Sequence, residues 1–303
     1  MIHGGGHIML SRSDIRPAQT QLLLDQGFIP VSIDYRLCPE VNLIDGPMQD
    51  VCSALQWARE VLPSLSFKNQ AIKADGKRVV AIGWSSGGQL AMSLAWTAVQ
   101  RGIDPPSAIL AFYCATDYNA EFWKQSNVPV GTGEITGSDY NIWEAFGDLP
   151  LTQYSVPAER KPVGGWLSLS DPRSRIALHM NWAGQSLPIL LGKMKKAWEE
   201  GANTDPKPIF PQPSFDEVLP ISPRAQIECG AYRTPTYLVH GTADDLIPWH
   251  QTQETYQALV DKGIPAEVRI VKDAVHLFDL RGESDVGKWQ IVKEAYSFLF
   301  ARV

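Results

Sequence analysis

The chain has no excess of positive charge: 27 Lys and Arg stand against 33 Asp and Glu in 303 residues, a net charge of −6. With no basic block, a phosphate backbone is not an expected partner, which sets nucleic-acid binding aside. Cysteine is scarce as well. The four (Cys38, Cys52, Cys114, Cys229) show no CxxC spacing, so neither a zinc site nor a disulfide framework is expected. Cys52 and Cys114 lie among apolar residues and read as buried thiols. No apolar run approaches the roughly 20 residues a membrane span needs. The start of the chain lacks the charged and apolar regions of a secretory leader, so the cytoplasm is the expected location. There are no internal repeats.

What is present is an ordinary globular balance, 44% apolar and 20% charged, enough for one large domain or two small ones. Short apolar runs read as strands at residues 28–34, 78–83, 108–114, 235–240 and 266–271. Helical patterns lie between and after them, at about 14–26, 47–62, 86–101, 249–262 and 287–301. Alternating strands and helices imply a mostly parallel sheet covered by helices on both faces. Met1-Ile2 reads as the tail of a buried strand and His3-Gly4-Gly5-Gly6 as the loop after it, so either a fragment or a fold without its usual first strands is expected.

The alternation breaks between residues 118 and 232. That stretch carries 12 of the 22 prolines and five of the ten tryptophans (Trp123, Trp143, Trp166, Trp182, Trp198). Proline cannot donate to a ladder, so the stretch is expected outside the sheet. Its one expected helix is near 187–200. A long excursion in a compact domain is usually functional. The division is therefore a core of 1–117 and 233–303 with an inserted cap of 118–232, whose tryptophans form the cap's own core or line an apolar acyl pocket.

Four motifs carry chemistry. Gly83-Trp84-Ser85-Ser86-Gly87-Gly88 follows a strand and opens a helix, the context of a nucleophile elbow that lifts the Ser85 hydroxyl above the sheet. His3-Gly4-Gly5-Gly6 is a loop whose backbone can approach a substrate closely. The N–H groups of Gly5, Gly6 and Ser86 would stabilise an oxyanion, while His3 holds the loop by a hydrogen bond. In His240-Gly241-Thr242-Ala243-Asp244-Asp245, Asp244 best fits a carboxylate that orients an imidazole, and Asp245 suits a helix N-cap. Of six histidines, His276 follows the last strand, where a base belongs. Ser85 as nucleophile, His276 as base and Asp244 as orienter make a triad. It requires no metal or organic cofactor.

Together these motifs resemble the α/β-hydrolase superfamily, in the HGGG branch of hormone-sensitive-lipase-like esterases. Asp34-Tyr35-Arg36-Leu37-Cys38-Pro39-Glu40 matches that branch's D-Y-R-L-A-P-E run except at Cys38. The stretches Ile2–Ser11 and Gly83–Met92 are similar, more narrowly, to the C-terminal thioesterase domains of fungal non-reducing polyketide synthases and to related free-standing thiohydrolases. This resemblance implies an acyl thioester substrate, an acyl carrier protein as partner and hydrolytic release of a polyketide. A carboxylesterase for small or aromatic esters would use the same residues, as would acyl transfer or cyclisation. A ligand-binding protein on this fold is the reading from another class, and it is disfavoured because such proteins usually lose a triad member.

Overall fold

The computed structural model describes residues 1–128, 140–157 and 167–303. Its sheet has four parallel strands in the order β1 (Ala81–Trp84), β2 (Ile109–Phe112), β3 (Thr236–Gly241) and β4 (Ala266–Val271). Registers such as Gly83 opposite Ala111 and Ala111 opposite Leu238 align the strand ends. Ile2 bridges in parallel to both Gly83 and Ile33, which extends the pairing by single residues beyond β1.

The stretch 28–34 is not the strand its composition predicts. Only Ile33 makes a bridge. Pro30 has no N–H to contribute to a ladder. The other expected strands are present with ends shifted by a few residues at most, within the usual fraying of boundaries.

Side chains alternate across each strand. Ile82, Trp84, Leu110, Phe112, Tyr237 and Val239 pack on one face with Leu23, Val292 and Tyr296, from helices α1 (Pro17–Asp25) and α10 (Val286–Phe300). Ala81, Ile109, Ala111 and Leu238 pack on the other, beneath α2 (Gln49–Glu60) and α3 (Ser86–Gln100). At β1, β2 and β3 both faces are covered, so these strands read as continuous apolar runs, while the edge strand β4 alternates, with Glu267 and Arg269 exposed. Cys52 and Cys114 are buried free thiols, and burial pushes the Cys114 thiol up to about 12.

Between β2 and β3 the described residues include α4 (Pro172–Trp182), α5 (Ser186–Leu190), α6 (Lys193–Glu199), α7 (Phe215–Val218) and α8 (Pro223–Glu228). The single helix expected over 187–200 is two, divided at Gly192, whose φ is +88°. Helix α4 was not expected, although Asp171 as N-cap and Pro172 at N1 are its start signal. The segment shares one hydrophobic cluster with the sheet and is tied to it at several points. Leu43 N–H donates to the Leu190 carbonyl (2.8 Å), and Gln89 Nε2 to that of Ile221 (2.9 Å).

Two of its tryptophans pack inside it. Trp123 lies 5.0 Å from Tyr118 between ring centroids. Trp143 stacks on Trp198 at 6.1 Å and meets Phe146 and Phe210 edge-on. Trp166 lies outside the described residues. Among the described residues no helix is long and apolar enough to cross a membrane.

Candidate active site

Strand β1 ends and α3 begins with a single residue between them. Ser85 takes φ 54° and ψ −129°, a left-handed φ that costs a residue with a Cβ about 1–2 kcal/mol. The turn is possible because its neighbours are small. A Cβ on Gly83 would strike the Gly87 carbonyl, and one on Gly87 the carbonyls of Ile2 and His3.

The loops after β1, β3 and β4 converge. Ser85 Oγ lies 3.1 Å from His276 Nε2, and His276 Nδ1 lies 2.7 Å from Asp244 Oδ2. A carboxylate can only accept, so Nδ1 carries the proton and Nε2 is free to receive that of Ser85. The Asp244 side chain is fully buried. Burial pushes its carboxyl up, but hydrogen bonds and charge from His240 and His276 outweigh this and hold it well below the usual carboxylate range. Asp245 is exposed, and it is not the expected N-cap. Helix α9 (Trp249–Asp261) starts at Pro248 without a side-chain cap, and Asp244 Oδ1 takes the N–H groups of Leu246 and Ile247 in the turn before it, both at 2.9 Å.

Residues not singled out in the sequence hold this set in place. His240 Nε2 donates to Asp244 Oδ2 (3.1 Å) and to the Ile247 carbonyl (3.1 Å). Because both of these only accept, Nε2 carries the proton, and Nδ1 accepts from the Thr252 hydroxyl (2.6 Å). The Tyr113 ring meets His276 edge-on at 4.7 Å. Three residues beyond His276, Asp279 accepts from Tyr113 OH (2.6 Å), Gln19 Nε2 (2.7 Å) and Arg16 Nε (3.2 Å). This buried net anchors the His276 loop to α1 and to the end of β2. No local spacing marks it, since its members are up to 263 residues apart.

The loop of His3 to Gly6 lies beside the elbow, where His7 N–H donates to Ser86 Oγ (3.2 Å). Each expected oxyanion donor shares a planar peptide with a carbonyl, and in a trans peptide the two point in opposite directions. The Gly4 carbonyl, paired with Gly5 N–H, accepts from His3 Nδ1 (2.8 Å) and Tyr35 OH (3.1 Å). The Gly5 carbonyl, paired with Gly6 N–H, accepts from the N–H groups of Ile8 and Met9, both at 3.1 Å. The Ser85 carbonyl, paired with Ser86 N–H, accepts from Gly88 N–H (2.8 Å). The carbonyl ends are thus fixed in all three. His3 holds the loop as expected and also stacks on Tyr35, with ring centroids 4.2 Å apart.

The two loop glycines differ. Gly5 has φ +98°, and a Cβ there would run into the Met9 carbonyl. Gly6 has φ +64°, and its nearest obstacle is Ile8 Cγ1 at 3.8 Å. Gly5→Ala should therefore displace the loop and lower kcat roughly 10²- to 10³-fold, the loss of one oxyanion donor. Gly6→Ala should fold with a strain of only about 1 kcal/mol and lose far less activity. A folded Gly5→Ala variant with full kcat would remove this loop from the oxyanion site.

His7 gives the site a pH dependence. Burial lowers its pKa from 6.5 to about 4, only partly offset by its bond to Gln89. The unfolded chain takes up a proton below 6.5 and the folded one does not until about 4. Stability is full above that window and is lost as pH falls through it, by roughly 3 kcal/mol from this group. Urea unfolding across the window should show the fall, and His7→Asn, which cannot titrate, should flatten it.

Known proteins resemble parts of this chain or share its fold. Residues 1–145 match the model of the alpha/beta hydrolase fold, and residues 187–302 that of the prolyl oligopeptidase family. The chain has the α/β-hydrolase fold. By class this hydrolase is a serine hydrolase. It is 55% identical to 5-methylorsellinic acid synthase of Aspergillus terreus over 99% of its own length and 12% of that protein. The same figures hold for the non-reducing polyketide synthase adrD of Penicillium rubens. The hydrolase thus spans about an eighth of the length of these relatives. Among solved structures, a hormone-sensitive lipase from a metagenome library shares the fold. It has a TM-score of 0.55 and 19% identity, over 99% of this chain and 76% of that one.

Proposed function

We propose that this hydrolase cleaves an acyl thioester, releasing a polyketide-type acyl group from an acyl carrier protein. The observation that carries the chemistry is the hydrogen-bonded order Ser85 Oγ, His276, Asp244 at an elbow. The substrate class comes from relatives such as adrD of Penicillium rubens, which is named a non-reducing polyketide synthase and matches almost the whole chain. His276 Nε2 takes the Ser85 proton as Oγ attacks the thioester carbonyl. Asp244 keeps the imidazole in the productive tautomer and stabilises the imidazolium. The N–H groups of Gly5, Gly6 and Ser86 hold the oxyanion. The protonated thiol leaves, and water activated by His276 frees the acid from the Ser85 ester.

Residues 118–232 are read as a cap that selects the acyl group by apolar burial, worth about 25 cal/mol per Å². Trp182 is only partly buried and is the better candidate for its wall than Trp123, Trp143 and Trp198, which pack on neighbouring rings of the segment.

The test compares an aryl-acyl pantetheine thioester with the matching aryl ester, and traps the acyl-enzyme for mass spectrometry. The expected result is an acyl adduct on Ser85 and a higher kcat/KM on the thioester. Turnover of the oxygen ester alone would make the hydrolase a carboxylesterase. An adduct on another residue would overturn the assignment of Ser85.

A further inference from the structure

Arg173 lies in the second position of α4, far from the reacting atoms in sequence, and its side chain is 1% exposed. It binds three separate groups of the core. Nε donates to the Ile8 carbonyl (2.6 Å), Nη2 to the Cys38 carbonyl (2.5 Å), and Nη1 and Nη2 to the two oxygens of Glu40 (2.7 and 3.1 Å). The guanidinium also sits over the Tyr154 ring at 5.6 Å. Tyr154 pairs with Leu10 by two backbone hydrogen bonds (2.6 and 3.1 Å). Cys38 in turn donates its N–H to the His7 carbonyl (2.8 Å). Every one of these contacts ends on the oxyanion loop or on the chain beside it.

The contact with Ile8 reaches furthest. The Ile8 carbonyl and the Met9 N–H are opposite ends of one peptide plane. Met9 N–H donates to the Gly5 carbonyl (3.1 Å). The Gly5 carbonyl and the Gly6 N–H are again opposite ends of one plane. Arg173 therefore holds the first plane, which holds the second, which aims the Gly6 N–H. A salt bridge needed only for stability would not require a planar fork on two backbone carbonyls, and a buried ion pair is by itself weak evidence of stabilisation.

We propose that Arg173 is a positioning residue that sets the direction of the Gly6 N–H through these two peptide planes, so that the segment between β2 and β3 forms part of the oxyanion site. This rests on the proposed function, in which Gly6 serves the oxyanion. It predicts that damage at Arg173 appears in the transition state and not in substrate binding.

The test uses Arg173→Lys, which keeps the charge but loses the fork. Because Glu40 is left poorly paired, the double variant Arg173→Met with Glu40→Leu replaces the ion pair by an apolar one of similar size. Glu40→Gln leaves both carbonyl contacts in place. The readouts are kcat and KM on an aryl ester and the affinity for an aryl trifluoromethyl ketone, which binds as an oxyanion adduct. Arg173→Lys and the double variant should lose about 10- to 100-fold in kcat and in ketone affinity with KM little changed, part of the effect of a whole donor. Glu40→Gln should lose much less.

A folded double variant with unaltered kcat overturns the proposal, and so does an equal loss in KM and ketone affinity. Failure of both Arg173 variants to fold assigns the residue to stability alone and also overturns it. Ser85→Ala run in parallel separates the two readings. If Ser85→Ala remains active, the proposed function fails. If activity requires Ser85 but not Arg173, only the positioning role fails.

Discussion

Ser85→Ala should lower kcat/KM by roughly 10⁴- to 10⁶-fold, and His276→Ala by a similar factor. The double variant should lose little more, because the two act as one unit joined at 3.1 Å. With the hydroxyl gone, the imidazole has no proton to take. With the imidazole gone, the hydroxyl stays protonated. The remaining rate comes from the oxyanion donors, which neither change touches. Ser85→Ala also relaxes no strain, since alanine meets the same penalty at φ 54°. Steady-state kinetics on one ester suffice. Losses that multiply in the double variant would mean that the two residues serve different steps.

Asp244→Asn should cost about 10⁴-fold in kcat, and it should also destabilise the fold. Both oxygens of Asp244 accept only from N–H donors. Oδ2 faces His276 Nδ1 and His240 Nε2, and Oδ1 faces the N–H groups of Leu246 and Ile247. An asparagine must turn its NH₂ toward one pair or the other. If it faces the histidines, one of them must change tautomer. If it faces the backbone, the N–H groups of Leu246 and Ile247 lose their acceptor, and because Leu246 is exposed and water can reach its N–H, the cost is at the low end of about 1–3 kcal/mol. Asp245→Asn removes an exposed carboxylate with no role in the turn and should be mild on both counts. Kinetics and urea unfolding of the two variants decide the matter. A reversed order would exchange their roles.

The sequence pointed to Ser85, Asp244 and His276, which the structure brings within hydrogen-bond distance, because each sits in a local pattern. A strand that ends in glycine before Ser85 and a helix that starts after it demand a tight turn. Gly5 and Gly6 are legible for the same reason, since only glycine accepts the φ of +98° at Gly5 without strain. The parallel sheet was legible too, because apolar runs alternate with helical patterns and both faces must be covered. Where local chemistry misled, a longer-range contact had won. Residues 28–34 look apolar enough for a strand, but Pro30 and a single bridge at Ile33 leave no ladder. Asp245 looks like an N-cap, but the helix starts three residues later, at Pro248.

Tertiary structure alone decided what supports these residues. His240 and Asp244 are four apart, and that spacing carries no signal on a strand end. Arg16, Gln19, Tyr113 and Asp279 meet only when α1, the end of β2 and the His276 loop come together. Arg173 reaches Ile8 across 165 residues. Short-range rules fix which backbone turns and which faces are apolar, because those follow from φ, ψ and side-chain period. The partners of a buried charge follow from desolvation, which every buried polar group must offset with some partner, and the chain alone does not say which.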